Sequence, residues 1–183
     1  MSKKIRWITE TAVMLALLVA LQAITKPMGQ LVTGSFVNGV LAISVLAGGL
    51  GCGLTVAVCS PLLAFLLQIA PQILTVPAIM VGNALYVAIL YYVAGKDSKN
   101  KLRRIVAWAA AAVGKFVVLY AVVVWLICGV LSENLLASGA LKAPMLQALP
   151  AMFSWPQLIT ALIGGGVALV IVPVLRKALR KEN

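Results

Sequence analysis

"AAVGKFVVLYAV", residues 111–122, lies inside one of the most apolar stretches of the chain, and Lys115 stands in its middle. The nearest charge upstream is Arg104 and the nearest downstream is Glu133. A run from about 105 to 131 therefore holds one charge, and it is longer than the about 20 apolar residues a membrane span needs. Composition extends this reading to the whole chain. Of 183 residues 63% are hydrophobic and 10% charged, with a mean hydropathy of +1.09. A soluble domain is about half apolar and about a quarter charged. The excess is too large for one buried core of this length, so part of the solvent is lipid.

Working outward from Lys115, the sequence divides into six apolar runs: about 7–25, 35–49, 53–70, 76–94, 105–131 and 155–175. Spans two and three are the shortest, and "GGLGCG" at 48–53 reads as a tight turn between them. The first run follows a basic start like that of a signal peptide. It is too long for one and lacks a small-residue cleavage site, so it reads as a permanent span. Barrel strands would alternate apolar and polar residues over about ten positions, and no such segments occur. The expected fold is all-α: a single membrane domain over 1–183, a bundle of six transmembrane helices.

A net charge of +11 raises the question of nucleic acid. The basic residues instead flank apolar runs. Twelve of the fifteen Lys and Arg lie at 3–6, 96–104 and 176–181, and only Lys26 and Lys142 fall in connections of the other side. That asymmetry is the positive-inside pattern, and it predicts that both termini and the 96–104 loop are cytoplasmic. Loops 26–34, 70–76 and 132–154 then face outside.

Catalytic chemistry has few parts here. There is no histidine, only four acidic residues, and three cysteines, Cys52, Cys59 and Cys128, none in a CxxC pair. No metal site, disulfide framework or cofactor is expected, and an enzyme is disfavoured. The glycines of 48–53 lack the spacing of a nucleotide loop.

Lys115 lies eleven residues past Arg104, which is about 16 Å along a helix and near the middle of an about 30 Å hydrocarbon core. A charge there costs about 2.5–3.5 kcal/mol, so the side chain should face the bundle interior and meet backbone carbonyls, an amide or a ligand. Asn83 in "VGNALYV" is a second polar group at depth, with Tyr86 one turn on. It either bridges helices or meets a ligand. Asn38 and Gln22 are similar cases. Gln30, Phe36, Trp155 and Gln157 are polar or aromatic residues at the outer ends of spans. Singly each reads as an interfacial anchor. Together with Asn83 and Lys115 they could line an outward cavity, a few polar groups in an apolar cleft.

Ala12, Ala16 and Ala20 recur every four residues in "TAVMLALLVALQ", a smooth stripe against which another helix can pack closely. With this stripe, six spans in about 180 residues and the loop "TKPMGQLVTGSFVN", the chain resembles the substrate-binding S components of energy-coupling factor (ECF) transporters over essentially its whole length. The resemblance implies a high-affinity binding subunit for a vitamin or related micronutrient in the prokaryotic plasma membrane. It implies partners: a transmembrane T component, docked through the alanine stripe, and two cytoplasmic ATPases. It does not give the substrate. The competing reading is a stand-alone facilitator or channel acting as a homo-oligomer.

Overall fold

The computed structural model describes residues 2–69, 72–95 and 100–181. Residues 96–99 of the basic connection, Ala70 and Pro71 of the expected 70–76 loop and the last two residues of the basic tail lie outside the described residues. What is described is helical, without strands. The main helices are α1 (Lys3–Thr25), α2 (Gln30–Gly48), α3 (Leu50–Leu66), α4 (Val76–Ala94) and α5 (Lys101–Leu119). A π-helical segment, Tyr120–Val130, continues α5, and α6 (Ser132–Ala137), α7 (Ala143–Phe153) and α8 (Trp155–Lys181) complete the chain.

Five helical stretches among the described residues are long and apolar enough to cross a membrane: Lys4–Met28, Gln30–Gly48, Ile73–Ala94, Lys101–Val130 and Trp155–Lys177. The shorter α3 has 17 residues, at the lower end of the range of about 17–25 for a span.

Local chemistry sets the helix ends. Ser2 caps α1 by accepting from Ile5 N at 3.3 Å, and Asn100 caps α5 by accepting from Arg103 N at 3.3 Å. Gly29 and Gly49 have φ of +90° and +89°, a region that favours glycine. Each lets one helix end and the next begin within a residue or so. The stretch 26–34, read as a loop, is therefore a single 3₁₀ turn, Lys26–Met28, then Gly29 and the start of α2. The connection 132–154 is likewise mostly helical, as α6 and α7. At the opposite end of the bundle Arg103 donates to Val93 O and Tyr92 O, and Arg176 donates to Leu46 O. These cations sit at helix C-termini, where the macrodipole favours positive charge.

α2 is central and packs most extensively against α8. A Cβ at Gly164 would fall within 3 Å of Ser35 O, Gly39 N and Asn38 Cβ. The two backbones approach as closely as small residues permit. Two buried apolar clusters result. One, toward the basic end, joins Leu18, Leu41, Val56, Tyr86, Ala111 and Ala161. The other joins Ala78, Leu119, Val123, Leu141, Leu149 and Phe153.

Candidate functional site

The two clusters do not merge. On α4, Ala78 belongs to one and Tyr86 to the other, with Asn83 between them. On α5, Leu119 and Ala111 are divided by Lys115 in the same way. A polar layer fills the gap. Lys115 is 3% exposed, and Asn38 and Asn83 are each 1% exposed.

Lys115 Nζ donates to Asn38 Oδ1 and to Asn83 Oδ1, both at 2.6 Å. Both amide nitrogens also have partners in the chain. Asn38 Nδ2 donates to Gly34 O at 2.9 Å and to Thr160 Oγ1 at 3.2 Å. Asn83 Nδ2 lies 3.5 Å from Ala57 O. Thr160 donates to Gln157 O at 3.1 Å, and Gln157 Nε2 donates to Met152 O at 3.1 Å. The layer therefore ties together α2, α3, α4, α5, α7 and α8. Tyr86 supports it from the basic side. Its ring centroid is 5.7 Å from Lys115 Nζ, and its hydroxyl donates to Ala161 O at 3.3 Å. A cation over a ring face is attracted by the ring quadrupole.

Above this layer is a cleft of about 450 Å³. Asn38, Asn83, Lys115, Gln30 and Gln157 line it, as do Gln22, Lys26, Met152 and Phe153. Its mouth lies at the α1–α2 turn and the α7–α8 joint, where Lys26 and Gly29 are exposed. Contacts across neighbouring connections brace this end. Lys26 Nζ donates to Gln68 O at 2.7 Å, and Gln72 Nε2 to Ala140 O at 2.8 Å.

An ammonium has three protons, and two are held by the asparagine carbonyls. The two described carboxylates, Glu10 and Glu133, do not line the cleft; Glu10 pairs with Arg6 at 2.7 Å. The asparagine dipoles offset part of the cost of the buried charge. They leave its net charge in a low-dielectric cleft, where an anionic or carbonyl oxygen is strongly favoured. No group of three or more His, Cys, Asp or Glu that could hold a metal occurs among the described residues.

The expected site residues divide cleanly. Lys115, Asn83, Asn38, Gln30 and Gln157 converge on the cleft, and Tyr86 underlies it without lining it. Phe36 and Trp155 stand apart. Phe36 is 45% exposed on the outer face of a separate apolar groove among α1, α2 and α8. Trp155 is 66% exposed and stacks on Phe116 at 5.6 Å. The reason is angular: each lies two residues from a cleft residue, Asn38 and Gln157 respectively, and helix positions i and i+2 do not share a face. Gln22 and Lys26 of the α1 end, and Met152 and Phe153 of α7, complete the lining. Neither α7 residue carried a sequence signal, because the segment reads as a connection. Ala12, Ala16 and Ala20 are all exposed, so the stripe on α1 faces away from the bundle.

Set against known families, the model of one, described as "ECF transporter, substrate-specific component", matches residues 7–176. No curated protein and no solved structure matches the chain.

Proposed function

Since the chain belongs to the family of substrate-specific components of ECF transporters, we propose that the cleft above Lys115 is its substrate site and that the substrate places an electron-rich oxygen on the ammonium. It is a multi-pass membrane protein of the transport class. The observation that carries the site is the half-committed lysine: a buried ammonium, held by two amide carbonyls, at the floor of a cleft of about 450 Å³. That volume falls in the range of about 300–1,000 Å³ for small-molecule sites. The substrate is a vitamin-like micronutrient with a carboxylate, phosphate or ring carbonyl. Asn38, Asn83, Gln30 and Gln157 shape the site, and Tyr86 positions Lys115. Phe36 and Trp155 have no part in it.

We further read the chain as a single domain of six spans in a prokaryotic plasma membrane, α3 being the sixth, with both termini cytoplasmic and the cleft opening outward. The basic groups at the start of α1, the start of α5 and the end of α8, opposite the cleft, support this orientation. The exposed stripe Ala12, Ala16 and Ala20 docks a transmembrane T component, which works with two cytoplasmic ATPases. The chain lacks an ATP-binding motif of its own and serves as the binding subunit of that assembly.

Proteoliposomes separate this reading from that of a stand-alone facilitator. Loaded with the purified chain alone, they should show no more uptake of its bound molecule than empty vesicles. Adding the T component and ATPases should make uptake ATP-dependent. Uptake by the chain alone would assign it to the facilitators.

A further inference from the structure

Among the described residues, one buried side-chain polar atom has no hydrogen-bond partner, and it belongs to the cleft wall. It is Oε1 of Gln22, on α1. The asparagine amides beside it are occupied: Asn38 and Asn83 give their oxygens to Lys115 and their nitrogens to neighbouring chain atoms. A buried carbonyl with no donor carries a desolvation cost that a ligand N–H removes. The terminal torsion of a glutamine side chain is broad, so a modest turn of the amide presents this oxygen to the cleft.

Two unmet groups at the buried wall and floor of the cleft stand out from the rest of the lining. Lys115 offers one strong donor, and Gln22 lacks one. Lys26 also lines the cleft, so two ammonium groups disfavour a cationic ligand. An amine, charged at neutral pH, is the wrong source of the missing N–H. A neutral donor fits, and an N–H conjugated to a carbonyl fits best, because the same ring then supplies both the donor for Gln22 and an acceptor for Lys115. We propose that Gln22 is a specificity-determining residue and that the substrate belongs to the lactam, imide or ureide class of ring, neutral or anionic, with a carbonyl or carboxylate toward Lys115 and a ring N–H toward Gln22. This rests on the cleft being the substrate site.

The test uses the full chain in detergent and four defined probe pairs at millimolar concentration: uracil, orotate, hydantoin and 2-pyridone, each against its fully N-methylated counterpart. Equilibrium binding is measured on wild type, Gln22→Met, Gln22→Leu and Lys115→Met. At least one N–H probe should bind wild type about tenfold more tightly than its N-methyl partner, the 1.4 kcal/mol equivalent of one hydrogen bond. In both Gln22 variants that preference should shrink to about twofold or less, while Lys115→Met weakens both members of the pair. Without probe, the Gln22 variants should melt at or above the wild-type temperature, since the unpaired carbonyl is gone. The proposal is overturned if no probe binds, if wild type treats the pairs alike, or if the preference survives in the Gln22 variants. Loss of affinity in Lys115→Met alone would leave the cleft standing and remove Gln22 from it. Probe binding indifferent to all the variants would remove the cleft as well.

Discussion

Replacing Lys115 with Met keeps most of the side-chain length and apolar volume and deletes the charge, and the structure sets two opposing consequences for stability. Asn38 Oδ1 and Asn83 Oδ1 each lose a donor at 2.6 Å, and an orphaned buried carbonyl costs about 1–3 kcal/mol. Against this, removing a buried ammonium from the middle of an apolar span returns about 2.5–3.5 kcal/mol. With two carbonyls orphaned, the loss of about 2–6 kcal/mol is partly offset, so Lys115→Met should lie between about 1.5 kcal/mol more stable and about 3.5 kcal/mol less stable than wild type. Asn83→Leu should destabilise, because it keeps the charge and removes half of its support; a hydrogen bond to a charged group contributes about 1.5–3 kcal/mol. The double variant should recover most of that loss. Binding should behave differently. A hydrogen bond to a charged group contributes about 1.5–3 kcal/mol, so Lys115→Met should weaken substrate binding roughly 10- to 100-fold in a protein that still folds. Thermal unfolding in detergent and equilibrium binding on the same three variants provide the readout. Unchanged affinity in a folded Lys115→Met would make the lysine a structural residue and refute its part in the site.

Further outcomes follow from the packing and the exposed faces. Ala16 is exposed at the centre of its stripe, so Ala16→Trp should abolish co-purification with the T component while leaving substrate affinity within about twofold; co-purification that survives the substitution would remove the stripe as the docking face. In a cysteine-free background, Ser138→Cys should react with an impermeant maleimide added to intact cells and Lys101→Cys should not, and the reverse pattern would invert the orientation. Gly164→Leu should prevent folding, because even its Cβ would meet the backbone of α2 at Ser35 and Gly39. By contrast, Gly166→Ala, whose Cβ would lie 3.5 Å from Trp108, should change the melting temperature by no more than a few degrees.

The sequence carried the helical, membrane-embedded class because that depends on local quantities: run length, charge spacing and the absence of alternation. It also carried the height of Lys115 along its own helix, since rise per residue converts position into height. What it could not supply was rotation. Asn38, Asn83 and Lys115 are 45 and 32 residues apart in succession, and their meeting at 2.6 Å depends on how three helices turn about their own axes. Part of that rotation was nevertheless readable. Gln30, Gly34, Val37 and Asn38 recur at the 3.6-residue period and all line the cleft, so Phe36 had to face away. The same arithmetic separates Trp155 from Gln157. The turns were harder. Gly29 and Gly49 reverse the chain so tightly that 26–34 holds more helix than loop. The contribution of α7 depends on its docking against the π segment, a long-range contact with no periodic signature.

The central claim is that the Lys115 cleft holds a small molecule. Native mass spectrometry of wild type and Lys115→Met, each purified from the same cells in mild detergent, tests it most directly. Wild type should carry an added mass that dissociates on activation and belongs to a compound with a carboxylate, phosphate or ring carbonyl, and folded Lys115→Met should be depleted of it at least tenfold. Identical occupancy of the two proteins by that compound, or wild type carrying no small molecule at all, would contradict the account.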